Sequence, residues 1–206
     1  MNTSSTKAAP KLPKSRDVKQ HILDVGYQLI SSKGFTGVGL AEILKNAAVP
    51  KGSFYHYFKS KEQVGEALIA DYFANYLQQL DALFVKNGDS GYLRIMRYWH
   101  GWLNSQSDIC NMQKCLVVKL SAEVADLSES MRNALLIGAE KIIAKLAMVI
   151  SDGIEDKSIS AQSANETAQT LYYLWLGASL MAKLHQNDTP LKQALTTTEK
   201  QLTTAF

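Results

Sequence analysis

The chain has 206 residues, 46% of them hydrophobic, and a formal net charge of +3, enough for a small domain beside one larger helical core of about 140 residues. No stretch approaches the ~18 consecutive apolar residues of a membrane span, and the amino terminus lacks an apolar signal-peptide region, so a cytoplasmic protein with no membrane partner is expected. Two cysteines and no Cys/His cluster at metal-ligand spacing argue against a disulfide framework or structural zinc, and no metal or other cofactor is expected.

The modest net charge conceals a polarised chain. Residues 1–61 hold ten Lys or Arg against three Asp or Glu, a balance of +7, whereas residues 62–206 hold twelve basic and sixteen acidic residues, a balance of −4. The amino-terminal part therefore offers counterion-release binding to a polyanion, and the acidic remainder does not.

Residues 1–15, with Lys7, Lys11, Lys14, Pro10 and Pro13 and few apolar groups, read as a disordered basic tail. The apolar residues Val18, Ile22, Val25 and Leu29 then fall at helical spacing, and Gly34 stops that helix. A second short helix is predicted from about Leu40 to Ala47. Ala47-Ala48-Val49 makes a three-residue turn into a third helix, Lys51 to Phe58, the spacing of a helix-turn-helix. In that third helix Phe54 and Phe58 lie four residues apart and share a face that can anchor it. Lys51, Ser53, Tyr55 and His56, with Lys59 and Lys61 beyond, point elsewhere as groups suited to phosphates and base edges.

Past Lys59 the pattern is almost entirely helical. Predicted helices run from Glu62 to about Val85, Tyr92 to Leu103, Lys114 to Leu127, Glu129 to about Ser151, Ala161 to His185 and Pro190 to Thr203, with a polar loop at 86–91. Strand alternation and internal repeats are absent from the sequence. The expected fold is all-α: a three-helix helix-turn-helix domain over residues 16–62, and a helical ligand-binding and dimerisation bundle over residues 63–206.

Two features of the second part invite chemistry. The stretch Leu171 to Ala182 is apolar nearly all round, so it needs two partners. Either it is the central buried helix of a monomer, or one face meets a second subunit through Tyr172, Trp175, Leu176 and Ser179, with Gly177, Ala178 and Ala182 allowing close approach. Cys115 stands near the start of its predicted helix beside Lys114, with Lys119 one turn on. The helix dipole and both lysines favour the thiolate, while the alternative is a small buried hydrophobe. Cys110, five residues earlier, is either a resolving thiol or a bystander.

Gly34-Phe35, Leu40, Ile43, Ala47, Val49, the run Lys51 to Phe58 and Lys61-Glu62 together resemble the DNA-binding domain of TetR-family repressors. Three positions depart from that pattern. Val38-Gly39 stands where a Thr-Ser or Thr-Thr pair commonly opens the second helix, Ala48 replaces the usual turn glycine, and Pro50 replaces the usual serine cap. With the hydroxyls gone, phosphate contact around Gly39 falls to backbone N–H groups. The resemblance implies a non-enzymatic repressor, a homodimer on a palindromic double-stranded DNA operator. Lys51, Ser53 and His56 would face base edges, and Tyr55 and Lys61 would face phosphates.

The runs Cys115 to Ser128 and Leu174 to Lys183 are similar to a branch of the family that senses electrophiles and oxidants through cysteine. That similarity implies release from DNA when Cys115 is modified. Ala125 stands where that branch carries a second cysteine, which removes any scheme needing that thiol. Lys183, the only Lys, Arg, Asp or Glu between Leu171 and His185, is either a partner for the Cys115 thiolate or a lysine snorkelling at the helix end. Two rivals stay open. In one, a small aromatic or hydrophobic ligand binds a pocket lined by Tyr92, Tyr98, Trp99, Trp102 and Trp175. In the other, Cys115 is an enzymatic nucleophile, although only His100 and His185 lie outside the head and no third catalytic group is evident.

Overall fold

The computed structural model describes residues 15–104, 117, 118 and 120–204. Its helices are α1 (Ser15–Lys33), α2 (Leu40–Ala47), α3 (Lys51–Tyr57), α4 (Lys61–Leu83), α5 (Gly91–Leu103), α6 (Glu129–Glu155), α7 (Ala164–His185) and α8 (Thr189–Thr203). A further helical turn occupies residues 120–124 ahead of α6, and there is no strand among the described residues. Residues 1–14 of the expected amino-terminal tail lie outside the described residues, and Ser15 opens α1 instead.

Local chemistry accounts for several helix ends. Gly34 takes φ +83°, the left-handed value that lets its N–H bond back to the Ile30 carbonyl at 2.8 Å and close α1. At the start of α4 the Ser60 hydroxyl accepts from the Gln63 N–H, and the Gln63 side chain in turn accepts from the Lys59 N–H at 2.7 Å. Ser90 and Ser128 cap α5 and α6 in the same way. Helix α6 continues four residues past the expected Ser151, to Glu155, and α7 begins three residues later than expected, at Ala164.

The face of α1 that is buried differs from its predicted stripe. Ile22, Leu23 and Ile30 are buried, while Val18, Val25 and Leu29 are only partly so. The helix packs on both α2 and α4, so its apolar side straddles two partners rather than one.

Helix α4 runs from the head into the body and crosses α6 at Gly138, where an added Cβ would overlap the Phe73 ring. Only glycine permits that approach. The body core is aromatic: Trp99 of α5 stacks on Trp175 of α7 with ring centroids 5.0 Å apart and planes 15° apart. The Trp102 indole N–H donates to the Ser179 hydroxyl and the Trp175 indole N–H to the Thr198 hydroxyl, each at 2.9 Å.

These contacts correct two expectations. Tyr172, Trp175 and Ser179 are buried against α5 and α8 of their own protomer, so their side chains do not offer contact area to a second subunit; Leu176 is half-buried. The face of α7 left open carries Tyr173, Leu180, Met181 and Leu184 instead. Likewise Tyr98, Trp99, Trp102 and Trp175 fill the core with their own rings rather than lining a ligand pocket. Indole rings at this spacing make core, because each flat face finds another ring to cover it.

Candidate nucleic-acid interface

The candidate interface begins with the turn between α2 and α3. Val49 is buried and its N–H bonds to the Leu44 carbonyl at 3.1 Å, which folds α3 back across α2. That path requires Ala48 at φ 52°, ψ 35°. A Cβ in the left-handed region is strained, so the loss of the usual turn glycine is destabilising here. Ala48→Gly should raise stability by about 1 kcal/mol. In thermal unfolding this appears as a midpoint higher by roughly 2–4 °C.

Phe54 and Phe58 hold α3 down, with ring centroids 5.6 Å apart and both side chains buried. The helix ends at Tyr57, and Phe58 follows it in extended conformation. On the opposite side Lys51, Ser53 and His56 are exposed, and Tyr55 is 49% exposed. The Lys51 ammonium lies 5.9 Å from the Tyr55 ring centroid, so cation and aromatic ring form one patch. Gly39 is exposed at the start of α2 and supplies no side-chain cap, and Pro50 supplies none at the start of α3.

Lys61 lies differently from the expected phosphate contact. It is half-buried, and its ammonium sits 4.1 Å from the Phe35 ring centroid, turned toward its own domain. The head is further knit by His21, whose Nε2 is 3.0 Å from the Ala47 carbonyl, and by a Lys33–Glu42 ion pair. Gln20 of α1 donates to Asp71 of α4 at 3.1 Å.

One contact of the head has no counterpart in the sequence analysis. Glu123, in the turn at 120–124, accepts the Phe35 N–H at 2.9 Å, the Thr36 N–H at 2.6 Å and the Thr36 hydroxyl. Partial burial pushes its carboxyl up, but the Thr36 and Phe35 hydrogen bonds and the nearby Lys61 charge outweigh this and hold it below the ordinary glutamate value. An acidic residue in an acidic half of the chain carries no local pattern that betrays a contact almost ninety residues away.

Of the expected sensing residues, Cys110 and Cys115 lie outside the described residues. Lys183 is exposed near the end of α7. A cleft of about 420 Å³ opens where the segment at 117–121 meets α6 and α7, lined by Val117, Leu135, Ile143, Gln169, Tyr173 and Leu176 among others. Among the described residues no helix is long and apolar enough to cross a membrane, and no group of three or more His, Cys, Asp or Glu gathers to hold a metal ion.

Comparison with known proteins agrees with this arrangement. Residues 22–68 match the family described as bacterial regulatory proteins, tetR family, and residues 91–198 match the tetracyclin repressor-like C-terminal domain. The HTH-type transcriptional repressor NemR of Escherichia coli (strain K12) is 45% identical over 181 residues, 87% of this chain and 90% of that protein. The repressor DhaR of Mycobacterium sp. (strain GP1) is 30% identical over 180 residues, 87% of this chain and 89% of its own length. The crystal structure of the reduced form of E. coli NemR superposes with a TM-score of 0.83 at 44% identity, covering 91% of this chain and 98% of that one. These relatives are transcriptional repressors and not enzymes, which sets the cysteine-nucleophile reading aside. The chain belongs to the tetR family of bacterial regulatory proteins and is a TetR-type transcriptional repressor related to NemR.

Proposed function

We propose that this repressor binds a palindromic operator as a homodimer and leaves it when an electrophile or oxidant modifies Cys115. The observation that carries the DNA half is the exposed patch of Lys51, Ser53, Tyr55 and His56 on a helix anchored from behind by Phe54 and Phe58. Lys51, Ser53 and His56 reach base edges, Tyr55 holds a phosphate, and backbone N–H groups near Gly39 hold another. Residues 16–62 act as the reading head, and residues 63–206 sense and dimerise.

Support for the dimer comes from α7. Tyr173, Leu180, Met181 and Leu184 are 41% to 69% exposed and recur at helical spacing around Gly177, where an added Cβ would meet nothing within 4 Å. An open apolar stripe of that kind is self-complementary across a two-fold axis. Two heads so joined read two half-sites, as a palindrome requires.

Support for cysteine sensing comes from the sequence setting of Cys115 between Lys114 and Lys119 and from the identity to NemR across most of the chain. Modification would shift the population between binding and non-binding forms, and ~1.4 kcal/mol suffices for each tenfold change. The test is a gel shift on the DNA upstream of the protein's own gene, with and without N-ethylmaleimide. Cys115→Ser should bind that DNA within about threefold of the unmodified chain, a span of under 1 kcal/mol, yet no longer dissociate on exposure. Dissociation of the serine variant would instead favour a non-covalent ligand, for which the cleft beside Val117 and Tyr173 offers one place.

A further inference from the structure

We propose that Glu123 is the positioning residue through which the helical body sets the orientation of the DNA-reading head. Its carboxylate closes on the turn after α1 with three hydrogen bonds, two from the backbone N–H groups of Phe35 and Thr36 and one from the Thr36 hydroxyl. Ionised acceptors make the stronger kind of hydrogen bond, and two of these donors are main-chain groups, so the carboxylate holds the backbone itself.

Both ends of this bridge are packed into their surroundings. On the body side Leu120 and Val124 flank Glu123 and are buried, and the Ser128 N–H bonds back to the Val124 carbonyl at 3.1 Å. On the head side Phe35 and Val38 are buried, and Val38 leads directly into Gly39, the cap of α2. The path of the turn is therefore the path of α2, and through the Ala48 turn it is the path of α3. Gly34 fits the same arrangement, since a Cβ there would come within 2.9 Å of the Glu123 carboxylate, on a backbone at φ +83°. Lys61, over the Phe35 ring at the start of α4, adds a positive charge to the same knot. Three separate stretches, the turn after α1, the start of α4 and the turn at 120–124, meet at this one carboxylate.

The consequence is mechanical. A change in the body that moves the turn at 120–124 drags the Phe35 and Thr36 amides with it, and a chain lacking the carboxylate leaves the head free to reorient. Coupling then rests on a physical contact with two arrangements, made and broken, rather than on proximity alone. Its sensing arm rests on the Cys115 reading; its DNA arm does not.

The experiment uses the full chain carrying Glu123→Ala or Glu123→Gln, with Leu191→Ala in α8 as a buried control remote from the head. Amide hydrogen exchange at Phe35 and Thr36 should quicken by roughly tenfold or more in Glu123→Ala, while exchange in α6 stays unchanged. Affinity for the upstream DNA should fall by about fivefold or more in Glu123→Ala and by less in Glu123→Gln, which keeps one acceptor oxygen. The ratio of dissociation constants with and without N-ethylmaleimide should shrink toward one. Binding by Glu123→Ala within twofold of the unmodified chain would overturn the proposal. So would an equal loss of affinity in Leu191→Ala at matched loss of thermal stability, because the effect would then be general destabilisation. If Glu123→Ala does not fold, Thr36→Val removes one of the three hydrogen bonds, and faster exchange with weaker DNA binding in that variant supports the proposal while unchanged binding overturns it. An unmodified chain indifferent to N-ethylmaleimide refutes the Cys115 reading, and the exchange and affinity arms still decide on Glu123.

Discussion

Replacing Leu180 and Leu184 together by Asp should convert the proposed dimer to a monomer and weaken binding to the upstream DNA on the order of a hundredfold or more. Both side chains lie on the open stripe of α7, Leu184 at 69% exposure, so neither change disturbs the protomer core. In a dimer across this stripe four carboxylates would be buried against apolar partners, which is prohibitive without compensating cations. A lone head reads few base pairs and loses the gain of the second, tethered half-site, which is why a surface change so far from α3 has so large an effect. Sedimentation and gel shift read the two consequences independently. A double variant that stays dimeric places the subunit contact elsewhere on the body.

The second large effect concerns Trp175. Truncation to Ala removes a fully buried indole stacked on Trp99 and hydrogen-bonded to Thr198, and should cost about 3–5 kcal/mol of unfolding free energy. Domains of this size are stable by only ~5–15 kcal/mol, so the variant would be close to unfolded at elevated temperature. Trp175→Phe, which keeps a stacking ring, should lose less. Denaturant unfolding is best run in the Leu180→Asp, Leu184→Asp background, where no second subunit contributes. A loss that persists there assigns Trp175 to the protomer core; a loss confined to the dimer would return it to the interface.

These two predictions concern the same helix, and their contrast shows how far sequence reading reaches. The all-α class and the order of helices were legible, since apolar spacing and the stop at Gly34 act over three or four residues and are written in the local order of side chains. The exposed polar set on α3 was legible for a related reason. In a helix of seven residues anchored by Phe54, whichever groups are polar and off that face are the ones left exposed.

Residues Leu171 to Ala182 gave no such guidance, because a segment apolar all round has no polar side to mark the outside. Which of Tyr172 and Tyr173 is core depends on where α5, α6 and α8 stand, and the structure turns Tyr172 inward and Tyr173 outward. Lys61 is a second instance: its charge suggested phosphate, while the Phe35 ring beneath it draws the ammonium inward. Glu123 is the third. Helices, turns and the exposed polar face of α3 follow from interactions between neighbours in sequence, so the chain's order alone carried them. The Trp175 contact with Thr198 and the Glu123 contact with the turn after α1 join residues 23 and 88 positions apart, and the open stripe of α7 is whatever that packing leaves uncovered. Such contacts exist only once packing has brought the helices together, and no local pattern encodes them.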